Sequence, residues 1–299
     1  MSNLPPGFGI AALHWIAVSR SLRLGCVSSR VILITGGSSG LGAVCVNYLA
    51  SRGHRVYGTS RRAEFRSNED SLRAPLIIPM DVCETASVEA AVAFILQREG
   101  RLDVLVNNAG IGHAGSIEDT SIQEGKAQLE TNFFGVHRVC RSVLPVMRKQ
   151  GSGLIVNISS IGGLISIPFQ GFYCASKYAL VALTESLRME VKPFGIHVTL
   201  IEPGDFKTGL TANRVFAAAS QNASAYADRQ DAAIGALERY KQSGADPGDL
   251  AVPLEKIMEK KRVRPHYLVG MFFQMLAVWG KRMLPASVFE KLIMSYYRI

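Results

Sequence analysis

Short apolar runs alternate with amphipathic stretches from Val31 onward. Val31–Thr35 carries no polar residue before its terminal threonine, the pattern of a strand covered on both faces. Comparable runs at Arg55–Thr59, Leu76–Met80, Val104–Asn107, Leu154–Ile158 and His197–Ile201, with a last one near Arg264–Val269, predict about seven strands. Helical periodicity fills the intervals at Leu41–Arg52, Ser87–Gln97, Gln123–Lys149 and Tyr173–Lys192. Strands that alternate with helices imply right-handed crossovers, hence an α/β fold: one doubly wound parallel sheet with helices on both faces.

Three regions depart from the alternation. Residues 1–30 form an N-terminal extension without a carboxylate; its composition suits a loosely ordered or amphipathic surface segment, or a transit peptide. Within the core unit, residues 31–270, the stretch from about 205 to 250 is rich in Ala, Ser and Gln and follows a strand end. That is where α/β sheets bind ligands, so it reads as a substrate lid or as a mobile excursion. Residues 271–299 combine the apolar run Met271–Trp279 with Lys281 and Arg282. Such a helical segment could rest on an anionic membrane, cover a pocket or pack between subunits.

Composition narrows the picture further. Of 299 residues 48% are hydrophobic and 19% charged, which excludes a disordered chain, and no run is long enough to span a bilayer. The formal net charge of +9 permits acidic partners, yet no nucleic-acid-binding motif is present and none is expected to bind. The five cysteines, Cys26, Cys45, Cys83, Cys140 and Cys174, are scattered without a Cys-x-x-Cys pair, so no structural metal is expected and a reducing, cytoplasmic setting is the default.

The chemistry lies at strand ends. Thr35–Gly42 is a glycine-rich turn between a strand and a helix, where Gly36, Ser38, Ser39, Gly40, Leu41 and Gly42 would bring backbone amides and a helix N-terminus to a pyrophosphate. Tyr173 and Lys177 stand four apart on one helix face. A neighbouring ammonium would lower the phenol's pKa from about 10 and suit it to general acid–base work. Ser159 and Ser160 end a strand, and alternation sends them in opposite directions.

The spacing Gly36-x-x-x-Gly40-x-Gly42, Asn107–Gly110, Asn132, Ser160, Tyr173–Lys177 and Pro203-Gly204 occur in the order found in the short-chain dehydrogenase/reductase family, which this chain resembles across roughly residues 31–270. The resemblance implies a Rossmann-type fold and a catalytic set of Asn132, Ser160, Tyr173 and Lys177. It places Ser160 on the substrate carbonyl, Asn132 on a relay water and Lys177 on the nicotinamide ribose. It also implies that Asp81, Val82, Asn108, Ala109, Gly110, Pro203 and Gly204 line the cofactor, and that the protein is a homodimer or homotetramer.

Cofactor choice turns on the end of the second strand. Ser60, Arg61 and Arg62 stand where NAD-preferring enzymes place a carboxylate, so NADP(H) is expected over NAD(H). Apolar residues around Ile167–Phe172 and in the lid (Leu210, Val215, Phe216) suit a small hydrophobic ketone or secondary alcohol, steroid-, retinoid- or lipid-like. The run Ser160–Lys177 looks like the 17β-hydroxysteroid and retinol dehydrogenase branch. The alternatives are a 3-oxoacyl-thioester reductase and a cofactor-binding sensor or scaffold without turnover.

Overall fold

The first strand, β1 (Val31–Ile34), is wholly buried because both of its faces are covered. In chain order follow α1 (Gly40–Ser51), β2 (Arg55–Ser60), β3 (Leu76–Pro79), α2 (Thr85–Glu99), β4 (Val104–Asn107), β5 (His113–Ala114), α3 (Ile122–Leu129), α4 (Gly135–Gln150), β6 (Gly153–Ile158) and α5 (Gly171–Val191). After them come β7 (Ile196–Pro203), β8 (Val215–Phe216), α6 (Ala227–Gln242), α7 (Gly248–Met258), β9 (His266–Val269), α8 (Phe272–Met283) and α9 (Ala286–Tyr297). The computed structural model describes residues 29–65, 74–207, 214–221, 224–242 and 244–299. Most of residues 1–30, with Cys26, and Leu210, expected in a lid, lie outside these residues.

Seven parallel strands form one sheet in the order β3-β2-β1-β4-β6-β7-β9. Alternate side chains feed two cores. Leu33, Leu105 and Ile155 pack against α2, α4 and α5, whereas Ile32, Val104, Val106 and Val156 pack against α1 and α7. The order in which successive strands are added reverses between β1 and β4, and the crevice beyond the carboxyl ends of these strands is the ligand position of such sheets.

The two-stranded sheet of β5 and β8 and the helix α7 are not expected from the sequence, and two expected helical stretches are divided. The single helix expected over Gln123–Lys149 is two helices joined by a π-helical turn, Glu130–Phe134. One extra residue in the turn preserves the apolar periodicity on either side, so the sequence pattern does not reveal it. The C-terminal segment is likewise two helices, separated at Leu284 and Pro285 because proline supplies no amide to continue the ladder. Their inner residues pack onto the loop and helix that follow β6: Val278 joins Ile161 and Ile165, and Tyr297 joins Ile167 and Cys174.

Candidate active site

The turn after β1 is held in shape by threonines. Thr35 Oγ1 accepts hydrogen bonds from the amides of Asn108 and Ala109, both at 3.0 Å, and Asn108 Nδ2 donates to the Thr35 carbonyl at 2.9 Å. Thr59 Oγ1 accepts from Gly36 N–H at 3.2 Å. Gly36 and Gly40 have φ of +65° and +54°, the left-handed region in which a side chain is strained. A Cβ on Gly42 would lie 2.3 Å from the Gly36 carbonyl, which explains glycine there. Ser39 is the N-cap of α1 but makes no side-chain cap bond, and the first turn of α1 holds no acidic residue. These amides, beside the open space around Gly40, fit an anionic pyrophosphate.

The adjacent predicted residues lie around the same crevice. Ser60 closes β2, and its Oγ accepts from the Arg62 amide at 3.2 Å, while Arg61 and Arg62 are exposed. Asp81 folds its carboxylate back onto the Cys83 amide at 2.9 Å, and Val82 is buried against Gly135. Ala109 packs on Gly36, and Gly110 packs on the Asn132 side chain. Pro203 ends β7, and the Gly204 amide donates to the Val269 carbonyl at 2.8 Å.

Asn132 sits in the π-helical turn, buried. Its Oδ1 accepts from the Ile111 amide at 2.9 Å, and its Nδ2 donates to the Ile111 carbonyl at 3.0 Å and to Ser176 Oγ at 3.1 Å. Asn132 thereby ties the segment after β4 to α5. Ser159 and Ser160 do point apart: Ser159 Oγ donates to the Lys177 carbonyl at 3.4 Å, whereas Ser160 Oγ and the Tyr173 ring meet beside Gly162. Ser160 also accepts from the Gly162 amide at 3.0 Å, which fixes its rotamer.

The expected lowering of the Tyr173 pKa by Lys177 is not found. Burial pushes the phenol up to about 12, and the Ser160 hydrogen bond opposes this only in part. The Lys177 ammonium lies 6.0 Å from the Tyr173 ring centroid and donates instead to the Ile158 carbonyl at 2.9 Å. Burial lowers Lys177 to about 8. Desolvation is the largest cause at both groups: Lys177 is buried and Tyr173 partly so, and Lys177 exerts no resolved pull on the phenol.

Tyr173 packs beside an apolar cluster that includes Ile167, Phe169, Leu237, Tyr240, Tyr296 and Tyr297. Tyr240 and Tyr296 stack at 4.1 Å between ring centroids. The stretch before α6 is fastened to the segment before α3, with Ser224 Oγ donating to Asp119 at 2.6 Å and the Tyr226 hydroxyl to Glu118 at 2.7 Å. Sequence reading missed Arg214, which is buried near Tyr173 although 41 positions separate them, and no local motif marks it. It also missed Gln274, whose side chain bonds the amide and carboxylate of Asp205 at 3.1 and 2.6 Å.

No group of three or more His, Cys, Asp or Glu among the described residues is arranged to hold a metal ion. Cys45, Cys83, Cys140 and Cys174 are free thiols. No helix among the described residues is long and apolar enough to cross a membrane.

The profile of the short chain dehydrogenase family matches residues 30–218. A 3-ketodihydrosphingosine reductase of Bacteroides thetaiotaomicron is 40% identical over 270 residues, covering 90% of this chain and 98% of that protein. A short-chain dehydrogenase from Streptomyces avermitilis superimposes with a TM-score of 0.75 at 33% identity, over 91% of this chain and 97% of that one. A short-chain dehydrogenase/reductase from Burkholderia phymatum in complex with NAD gives a TM-score of 0.70 at 26% identity, over 88% and 95%. With the seven-stranded parallel sheet and this match over more than half its length, the chain belongs to the short-chain dehydrogenase/reductase family, NAD(P)-binding oxidoreductases that interconvert hydroxyl and carbonyl groups.

Proposed function

We propose that the protein is an NADP(H)-dependent reductase of a hydrophobic, lipid-like ketone. The observation that carries this reading is a Tyr173–Ser160 hydroxyl pair set against an apolar, aromatic cluster. The reductase from Bacteroides adds a long-chain keto lipid to the candidates by likeness. Ser160 would donate a hydrogen bond to the carbonyl oxygen, and Tyr173, protonated at neutral pH, would transfer its proton to that oxygen as charge develops. The nicotinamide, when bound, supplies the hydride. Lys177, with its pKa near the working range, would hold the ribose and return a proton to Tyr173, and Asn132 would keep the intervening segment in register.

Absorbance of the nicotinamide over a panel of long-chain ketones, steroids, retinoids and 3-oxoacyl thioesters tests the reading. Loss of NADPH with lipid ketones supports it. Faster turnover of thioesters would favour the acyl-thioester alternative, and tight NADPH binding with no turnover would favour the sensor alternative.

The cofactor preference rests on Arg61 and Arg62, exposed at the end of β2 with no carboxylate before Glu64. A 2′-phosphate would take charge-assisted hydrogen bonds there. Arg61→Ala is expected to weaken NADPH by roughly 10–100-fold, the worth of one such bond, with a much smaller effect on NADH. Titration of both cofactors by nicotinamide fluorescence measures this, and equal losses would refute it.

A peripheral membrane contact through residues 271–299 is also proposed. Phe272, Leu276, Trp279 and Met283 form an exposed stripe on α8, with Arg282 exposed beside it, while the opposite side of the same helix pair packs near Tyr173. An apolar face with basic neighbours suits an anionic bilayer. The Leu276→Ser/Trp279→Ser protein is expected to lose co-sedimentation with anionic vesicles. Retained binding would clear the stripe. A change in sedimentation velocity without vesicles would instead assign it to the expected homodimer or homotetramer.

A further inference from the structure

Arg214 is the most conspicuous charge not used by the mechanism above. It directly precedes β8, which pairs with β5 beside the Tyr173 ring: Val215 N–H donates to the Gly112 carbonyl at 3.1 Å, and Gly112 approaches that ring. Only 5% of its side chain is exposed. Neither terminal guanidinium nitrogen has a hydrogen-bond partner among the described residues, and the nearest carboxylate oxygen, from Glu238, stays 3.5 Å away. The charge acts on its surroundings in the direction of the active site, since Arg214 and Tyr173 perturb each other and Asp205 acts on both.

Burying a guanidinium without acceptors is costly, and its planar fork of donors suits oxygen acceptors. Glu238 stands 3.5 Å from this cation and Asp205 acts on it from farther away, so two carboxylates already share its charge. A third negative charge would meet their repulsion, whereas a neutral oxygen would satisfy the fork without it.

Resting on the lipid-ketone reading, we propose that Arg214 is a specificity-determining residue that binds a neutral oxygen, a hydroxyl, on the polar end of the substrate near the reducible carbonyl. The substrate is then an amphiphile, with its hydrocarbon among Leu237, Tyr240 and Tyr296 and its hydroxyl on Arg214.

The test compares three probes of equal chain length: a β-hydroxyketone, the plain ketone and a ketocarboxylate. The wild-type protein is expected to favour the hydroxyketone over the plain ketone by roughly 10–100-fold in kcat/KM, the worth of one hydrogen bond to a charged group. Arg214→Met should collapse that ratio to about 1, and Arg214→Lys should restore part of it. Arg214→Met leaves Glu238 and Asp205 without their cation, so a thermal melt checks that this variant folds, and Arg214→Lys keeps the charge in place. An unchanged ratio in Arg214→Met overturns the proposal, as does a wild-type preference for the ketocarboxylate. Calorimetric binding of the same probes to the NADPH-loaded Tyr173→Phe protein reads the headgroup contact without turnover. A hydroxyl advantage there that Arg214→Met removes supports the proposal, and equal affinities overturn it. If no probe turns over, the lipid-ketone reading fails while this binding comparison still decides the role of Arg214.

Discussion

Tyr173→Phe is expected to reduce ketone turnover by roughly a thousandfold, within the range of a positioned proton donor, while NADPH affinity changes little. The ring that packs beside Ile167 and Phe169 is retained, and the change removes only the hydroxyl on which Ser160 acts. Stability should therefore fall by only about 1 kcal/mol, the net worth of an ordinary hydrogen bond. Stopped-flow and steady-state nicotinamide absorbance, with a cofactor-binding titration, separate the two effects. Residual turnover above about a tenth of the parent rate would exclude Tyr173 as the proton donor. A pKa near 12 also makes the phenol an acid at neutral pH, so alcohol oxidation, which needs the phenolate, should rise with pH above neutrality while ketone reduction does not.

Lys177→Met should move activity and stability in opposite directions. Turnover and cofactor affinity are expected to fall because Lys177 is the residue proposed to hold the ribose and return a proton to Tyr173. Stability of the cofactor-free protein is governed by a different balance. Burial lowers Lys177 from 10.5 to about 8, so below pH 8 the folded protein carries a buried ammonium at a cost of about 3 kcal/mol. Between about 8 and 10.5 the unfolded chain binds more protons at this position than the folded one, so this contribution to stability rises with pH. Methionine removes the ammonium penalty but leaves the Ile158 carbonyl without its 2.9 Å donor, which costs about 1–3 kcal/mol. The variant should consequently equal or exceed the parent in stability at pH 7, and the difference should shift toward the parent as pH rises from 8 to 9. Denaturant melts at several pH values measure this difference. A variant several kcal/mol less stable at pH 7, with no pH trend, would show that the lysine is held by favourable interactions rather than against a desolvation cost.

Much of the fold was legible because the signals are local. The apolar runs lie within a few residues of the observed strands, and Val104–Asn107 coincides with β4. Glycine spacing marked the turn after β1, where Gly36 and Gly40 need positive φ. The opposition of Ser159 and Ser160 followed from strand alternation alone. The π-helical turn was not legible, although it is what carries Asn132 to the backbone of Ile111. Nor was the Tyr173 pKa, since four-residue spacing says that two side chains share a face but not where an ammonium points.

By itself the sequence determined the order of the seven main strands and most of the helices between them, the glycine turn and the residue types available for proton transfer, because propensity, patterning and spacing act over short stretches of chain. Tertiary structure alone decided which side chains lose water. That choice raised Tyr173, lowered Lys177 and brought Arg214, Asp205 and the C-terminal tyrosines around one hydroxyl pair. Desolvation and charge pairing depend on the three-dimensional surroundings, which no local pattern encodes.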